Sequence, residues 1–281
     1  MCLFYSEYIT IIMVCDILKY YVAELCLHID KQIENKLNSY IWNKFIDVKD
    51  VQPDIRLNVQ KYDSMDYQVE KYYISPKYTQ IIRYNSDVVL VDENWSLFTI
   101  LEPKDEMTVQ VFLNHIFYSK AIFHHMIQCH SALVKWKRKG ILFLGPSGIG
   151  KTTQAELWNK YRDALIINGD IVFVQETEDG FLGWGTPWHG SSPYCENTSV
   201  PVKALVVLKQ APENSIRELT GFEKVTAVSN SVFYPQWLEN GMELCLETLD
   251  HLLSALPVYE LSCRPDEEAV QLTEEAVFGR G

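Results

Sequence analysis

With 281 residues, 47% of them hydrophobic and 22% charged, the chain is long enough to bury one large core or two modest ones. A formal net charge of −12, from 37 acidic and 25 basic residues, repels nucleic acid and anionic lipid and argues against both as main partners. Seven cysteines, scattered singly and without a CxxC pair, exclude a disulfide frame and point to reduced, buried thiols.

The opening stretch, MCLFYSEYITIIMVCDILKYY, is apolar but carries Glu7, Asp16 and Lys19. It has no basic n-region and no small-residue cleavage site, and its longest uncharged run is too short to span a bilayer. The cytoplasm is therefore the expected compartment. Residues 1–18 fit poorly with the strand-like alternation that begins at Lys19 and read as either a loosely attached extension or an artefact of start-codon choice.

From 19 to 103 the chain is β-rich. KYYVAELCLHID (19–30), IRLNVQKY (55–62), DYQVEKYYI (66–74), QIIRYN (80–85) and VVLVD (88–92) are predicted strands of an antiparallel region. Pro103-Lys104-Asp105-Glu106 marks a break, and a second unit is expected over 104–281. Apolar residues at helical spacing predict a helix over 107–128, through Val111, Phe112, Ile116, Ile122, Phe123 and Met126. HSALVKW (130–136) and ILFLG (141–145) read as a hairpin, and a helix follows over 152–161. ALIINGDIVFVQ (164–175) reads as a strand with a turn at Asn168-Gly169. FLGWG (181–185) and VPVKALVVLKQ (200–210) are strand-like. The tail reads as helices over 222–232 and 236–254, a strand over 258–263 and a helix over 266–277.

The apolar run ILFL leads into Gly145-Pro146-Ser147-Gly148-Ile149-Gly150-Lys151-Thr152, which fits the P-loop template in full. Glycines let successive backbone N–H groups turn inward as a nest for phosphate oxygens, and the following helix adds its N-terminal dipole. Lys151 is expected to neutralise β- and γ-phosphate charge and Thr152 to hold Mg2+ through its hydroxyl, with Thr153 beside them on the nucleotide side. A glycine turn closing a hairpin would explain the glycines but not Lys151-Thr152. The metal also needs an acid, and Asp170 is the candidate; as plain structure, Asn168-Gly169-Asp170 is merely a turn.

The segment HSALVKWKRKGILFLGPSGIGKTT resembles the core of the HPr kinase and phosphoenolpyruvate-carboxykinase-like group of P-loop proteins. In that group a histidine opens the strand before the glycine loop, and one or two aspartates follow on a later strand. His130 stands at the matching distance before Gly145. The resemblance covers residues 107–210. The tail, with NSIREL (214–219) and PVYEL (257–261), looks like HPr-kinase-related proteins, some of them associated with peptide-modification pathways.

The resemblance implies an α/β fold with a P-loop nucleotide-binding core of this type, preceded by the β-rich N-terminal region. It implies an ATP- and Mg2+-dependent phosphotransferase acting on a hydroxyl of a peptide, a small protein or a small molecule. Lys151, Asp170 and His130 become the expected catalytic set, with Thr152 and Asp170 on the metal, and assembly into a homo-oligomer is the family's habit. The chain also departs from the pattern. The adjacent aspartates of HPr kinases are Gly169-Asp170 here, and GTPWHG (185–190) replaces a glycine-rich signature. A nucleotide-binding accessory or regulatory protein with little turnover therefore stays open. Nothing reads adenine over guanine.

Three further groups have two readings each. Trp188 and His189 either face the acceptor side or belong to a rigid turn pinned by buried indoles. Arg217, and less so Arg264, is either a phosphate clamp or a surface ion pair. His125 and Cys129 would be i, i+4 on the helix, a workable zinc spacing, but no second ligand pair completes a site.

Overall fold

The structure, a computed structural model, describes residues 17–47, 51–60, 80–84, 87–101 and 103–279. The strand expected over 66–74 and nearly all of the 1–18 extension lie outside them. The fold is mixed α/β, built on a six-stranded and a nine-stranded sheet.

The first sheet comprises β1 (Ile17–Val22), β2 (Leu25–Asp30), β3 (Ile55–Gln60), β4 (Gln80–Tyr84), β5 (Asp87–Val91) and β6 (Leu97–Leu101), in the order β1-β2-β3-β6-β5-β4. The single strand expected over 19–30 is a hairpin. Its two turn residues, Ala23 and Glu24, both have positive φ, as the twist of a two-residue hairpin requires. Neither is a usual turn residue, so the sequence does not announce the turn. The sheet is also mixed rather than antiparallel, because β2–β3 and β3–β6 pair in parallel. A parallel pair needs a crossover. Residues 31–54 supply the first one, with α1 (Ser39–Trp42) flanked by short 3-10 turns.

Helix α2 (Glu106–Ala121) starts where Asp105 caps it by accepting the Thr108 amide at 2.8 Å. Its Val109, Phe112, Leu113 and Ile116 are buried in the same core as Ile29, Ile55, Leu57, Val89, Phe98 and Ile100 of the first sheet. The helix stops earlier than its periodicity suggests. His125 is left-handed, with φ +52°, and β7 (Met126–Trp136) begins directly after it. Pairing of residues 126–130 with another strand outweighs the local helical pattern. His125 and Cys129 thus lie on a turn and a strand, which removes the helical zinc spacing. No group of three metal-ligating side chains is present among the described residues.

The second sheet adds β8 (Lys139–Leu144), α3 (Lys151–Arg162), β9 (Leu165–Asn168), β10 (Ile171–Thr177), β11 (Gly180–Trp184), β12 (Ser199–Gln210), β13 (Ser215–Leu219), α4 (Gly221–Ser229), β14 (Val232–Phe233), α5 (Gly241–Ala255), β15 (Val258–Cys263) and α6 (Glu267–Phe278). Its main order is β11-β10-β7-β8-β12-β15-β13. β11 pairs with both β10 and the start of β12, so five strands close into a ring. β8 pairs in parallel with β12 and is covered on both faces, which is why ILFL is continuously apolar. Ile141 and Phe143 pack with Trp158 of α3 and Val270 of α6, while Leu142 and Leu144 enter the larger core.

β9 and β10 follow one edge of β7, with Asn168 opposite Leu133 and Ile171 opposite His130. Gly169 and Asp170 form the break between them. The free cysteines among the described residues are buried at 26, 129, 195 and 245 and half-buried at 263. No helix among the described residues is long and apolar enough to cross a membrane.

Candidate functional site

The loop 145–150 joins the buried end of β8 to α3. Gly145, Gly148 and Gly150 have φ of +138°, +77° and +113°, values that side chains disfavour. The path therefore needs glycine at these places. Ile149 anchors the loop by packing on the α3 core. Its carbonyl accepts from Gln210 Nε2 at 3.4 Å.

The start of α3 differs from those of α2 and α6. Asp105 and Asp266 cap the latter two, but no side chain caps α3 at Gly150 and its first turn holds no acid. The first amides of a helix have no intrahelical partner, so here they remain available to an anion. Lys151 opens the turn. It is buried, and its Nζ donates to the carbonyls of Gly145 at 3.0 Å and Pro146 at 3.1 Å. Burial pushes its ammonium pKa down, and the Asp170 charge pulls it partly back. Thr153 points into solvent on the same turn.

The acid-bearing turn is built on Asn168, which is fully buried. Its Oδ1 accepts the amides of Asp170 at 2.8 Å and Ile171 at 3.1 Å. Its Nδ2 donates to the carbonyls of Thr186 at 3.0 Å and Trp188 at 3.2 Å. Asp170 Oδ1 then lies 3.1 Å from His130 Nε2, and the Asp170 carbonyl accepts the Ser131 amide at 2.8 Å. The Thr152 hydroxyl donates to the Gly169 carbonyl at 3.3 Å. These bonds bring Lys151, Thr152, Asp170 and His130 together where β7, β8 and the 168–170 turn meet.

Ser231 links two of these parts and was not legible in the sequence. Its hydroxyl accepts the Gly145 amide at 3.2 Å and its carbonyl accepts the His130 amide at 2.8 Å. Phe233 follows on β14, its ring centroid 6.3 Å from that of His130.

The remaining candidates sit elsewhere or differently. Trp188 is buried against Trp42, Phe117 and Phe173, so its indole lines the core rather than the open side of the loop. His189 is half-buried, with Nδ1 bonded to the Ser192 carbonyl. Arg217 lies on the edge strand β13, paired with Glu223 and Glu260, each at 3.0 Å. Arg264 is held by Asp266 and Glu268. Both arginines are engaged in exposed ion pairs.

Comparison with known proteins places residues 100–263, more than half of the chain, on the family model described as SynChlorMet cassette protein ScmC. No curated protein matches. Among solved structures, the Hpr(Ser) kinase/phosphatase from Coxiella burnetii aligns with a TM-score of 0.32 and 12% sequence identity, over 53% of this chain and 87% of that one.

Proposed function

The chain belongs to the SynChlorMet cassette protein ScmC family, and we propose that it is an ATP- and Mg2+-dependent phosphotransferase whose glycine loop is a P-loop. The observation that carries this reading is the uncapped, acid-free start of α3, with buried Lys151 in its first turn and Thr152 bonded to the turn that bears Asp170. An uncapped, acid-free helix start beside a buried cation is a site for polyphosphate.

The loop amides and Lys151 bind the phosphate chain and neutralise its charge. The Thr152 hydroxyl and the Asp170 carboxylate are hard oxygen donors of the kind Mg2+ takes, few enough to leave room for water and phosphate oxygens. Bound there, the metal would supply further charge neutralisation on the β- and γ-phosphates. His130 Nε2 stands 3.1 Å from Asp170 Oδ1 and sets the carboxylate's surroundings. Asp170 takes the proton from the acceptor hydroxyl as the phosphoryl group arrives. The acceptor is a peptide, a small protein or a small molecule rather than a nucleic acid, in keeping with the acidic chain.

A second reading, a nucleotide-binding regulator with little turnover, is favoured by Gly169, which leaves Asp170 as the one acid of the turn. The test is incubation of the purified protein with Mg2+ and γ-labelled ATP in a dialysed, heat-killed extract of its host. Lys151→Ala runs beside it. Label passing to a peptide or metabolite with the wild type alone supports the phosphotransferase. ATP binding without any turnover overturns it in favour of the regulator.

A further inference from the structure

Gly169 has no side chain, and the space a side chain would need is taken. A methyl group at position 169 would lie 1.9 Å from Ser192 Oγ and 3.8 Å from Thr152 Oγ1. Ser192 comes from the segment between β11 and β12 and is buried. A hydroxyl from a separate part of the chain therefore fills the place beside Thr152 that residue 169 leaves empty.

The segment is fixed in that position. The Ser192 amide donates to the His189 carbonyl at 3.0 Å, and the His189 ring is bonded back to the Ser192 carbonyl. The Gly169 amide donates to the Tyr194 carbonyl at 3.3 Å. Gly190 lies against the acid itself: a methyl group there would be 2.3 Å from Asp170 Oδ2. The segment thus touches both residues of the Gly169-Asp170 pair.

Ser192 Oγ accepts the Tyr194 amide at 3.3 Å, and no acceptor among the described residues takes its proton. A hydroxyl that accepts one bond and keeps its proton free is suited to donate to an anion. The Thr152 hydroxyl beside it marks the metal end of the phosphate chain in the proposed phosphotransferase.

We propose that Ser192 is a ligand-contacting residue whose hydroxyl donates to the terminal phosphoryl group and so lets the site tell a nucleoside triphosphate from a diphosphate. The proposal rests on the P-loop reading. It assigns to the 189–194 segment a binding task that the glycine loop does not perform.

The test is a calorimetric titration of wild type and Ser192→Ala with Mg2+ and either ADP or the non-hydrolysable triphosphate AMP-PNP. The triphosphate affinity of the variant should fall about ten-fold, the loss of one hydrogen bond to a charged group, while ADP affinity changes by less than about two-fold. Should Ser192→Ala fail to fold, Ser192→Cys fills the place with a slightly larger group that is only a weak donor and should show the same selective loss. Equal losses for both nucleotides, or no loss, overturn the proposal and leave Ser192 as filler. A wild type that binds neither nucleotide overturns the ATP-dependent reading of the P-loop, and this proposal with it.

Discussion

The side chain of Asn168 holds the Asp170 amide at 2.8 Å and, through its other end, the Trp188 carbonyl at 3.2 Å. One buried amide therefore sets both the turn that carries the acid and the segment that leads to Ser192. Replacement by Ala removes the acceptor of the Asp170 and Ile171 amides and the donor to the Thr186 carbonyl. Asn168→Ala should cost about 3 kcal/mol in urea unfolding and weaken Mg2+-dependent nucleotide binding more than metal-free binding. A loss of stability with the metal dependence intact would separate this residue from the site.

Lys151 is buried at a desolvation cost that stability does not require. Lys151→Met should leave the urea midpoint unchanged or raise it, while nucleotide affinity drops about 100-fold through lost charge-assisted bonds. Arg217→Ala is the control, since its ion pairs lie on the exposed edge strand, and it should shift affinity by less than about two-fold. A large loss with Arg217→Ala would bring that residue into the site.

Trp188 should behave as a core residue. Its indole packs on Phe117 at 5.1 Å and Trp42 at 6.1 Å between centroids, joining the first sheet's helical crossover to the second sheet. Trp188→Ala should cost about 3–5 kcal/mol by denaturation. A stable variant with altered acceptor use would instead make the indole part of the acceptor surface.

His251 on α5 bonds Glu176 at the end of β10, both oxygens at 3.0 Å from Nδ1. The hydrogen bond and then the charge of Glu176 raise the histidine pKa above its usual 6.5. A raised native value stabilises the fold below the unfolded pKa, and the effect is lost as pH rises through the native one. The melting temperature of wild type should exceed that of His251→Gln at about pH 5.5 and converge with it by about pH 9. A gap that stays constant with pH would show that the contact is not ionic.

Much of the second sheet was legible because its signals are local. A continuous apolar strand, glycines at fixed offsets and Lys151-Thr152 all sit within one short stretch. The break at Asn168-Gly169 in an otherwise β pattern was visible for the same reason. What depends on distant partners was not. The parallel order of β2, β3 and β6 follows from crossovers rather than from any strand's own pattern. The end of α2 is set by a strand that pairs with residues 126–130. Trp188 read equally as core or as site, since an indole suits both and only its neighbours decide. Ser192 and Ser231 are single hydroxyls in ordinary loop contexts, and their place becomes visible only when a position beside Gly169 or the Gly145 amide is seen to be taken.

The closure of β11 onto β12 has a mechanical result. Hinged enzymes open by swinging one lobe from another, each lobe carrying part of the site. Here β7 and β8, which lead to His130 and Lys151, and β10, which follows Asp170, are staves of one closed ring. They cannot part without breaking ladder bonds. The acid and the helix start are therefore held at a fixed separation by the ladder itself.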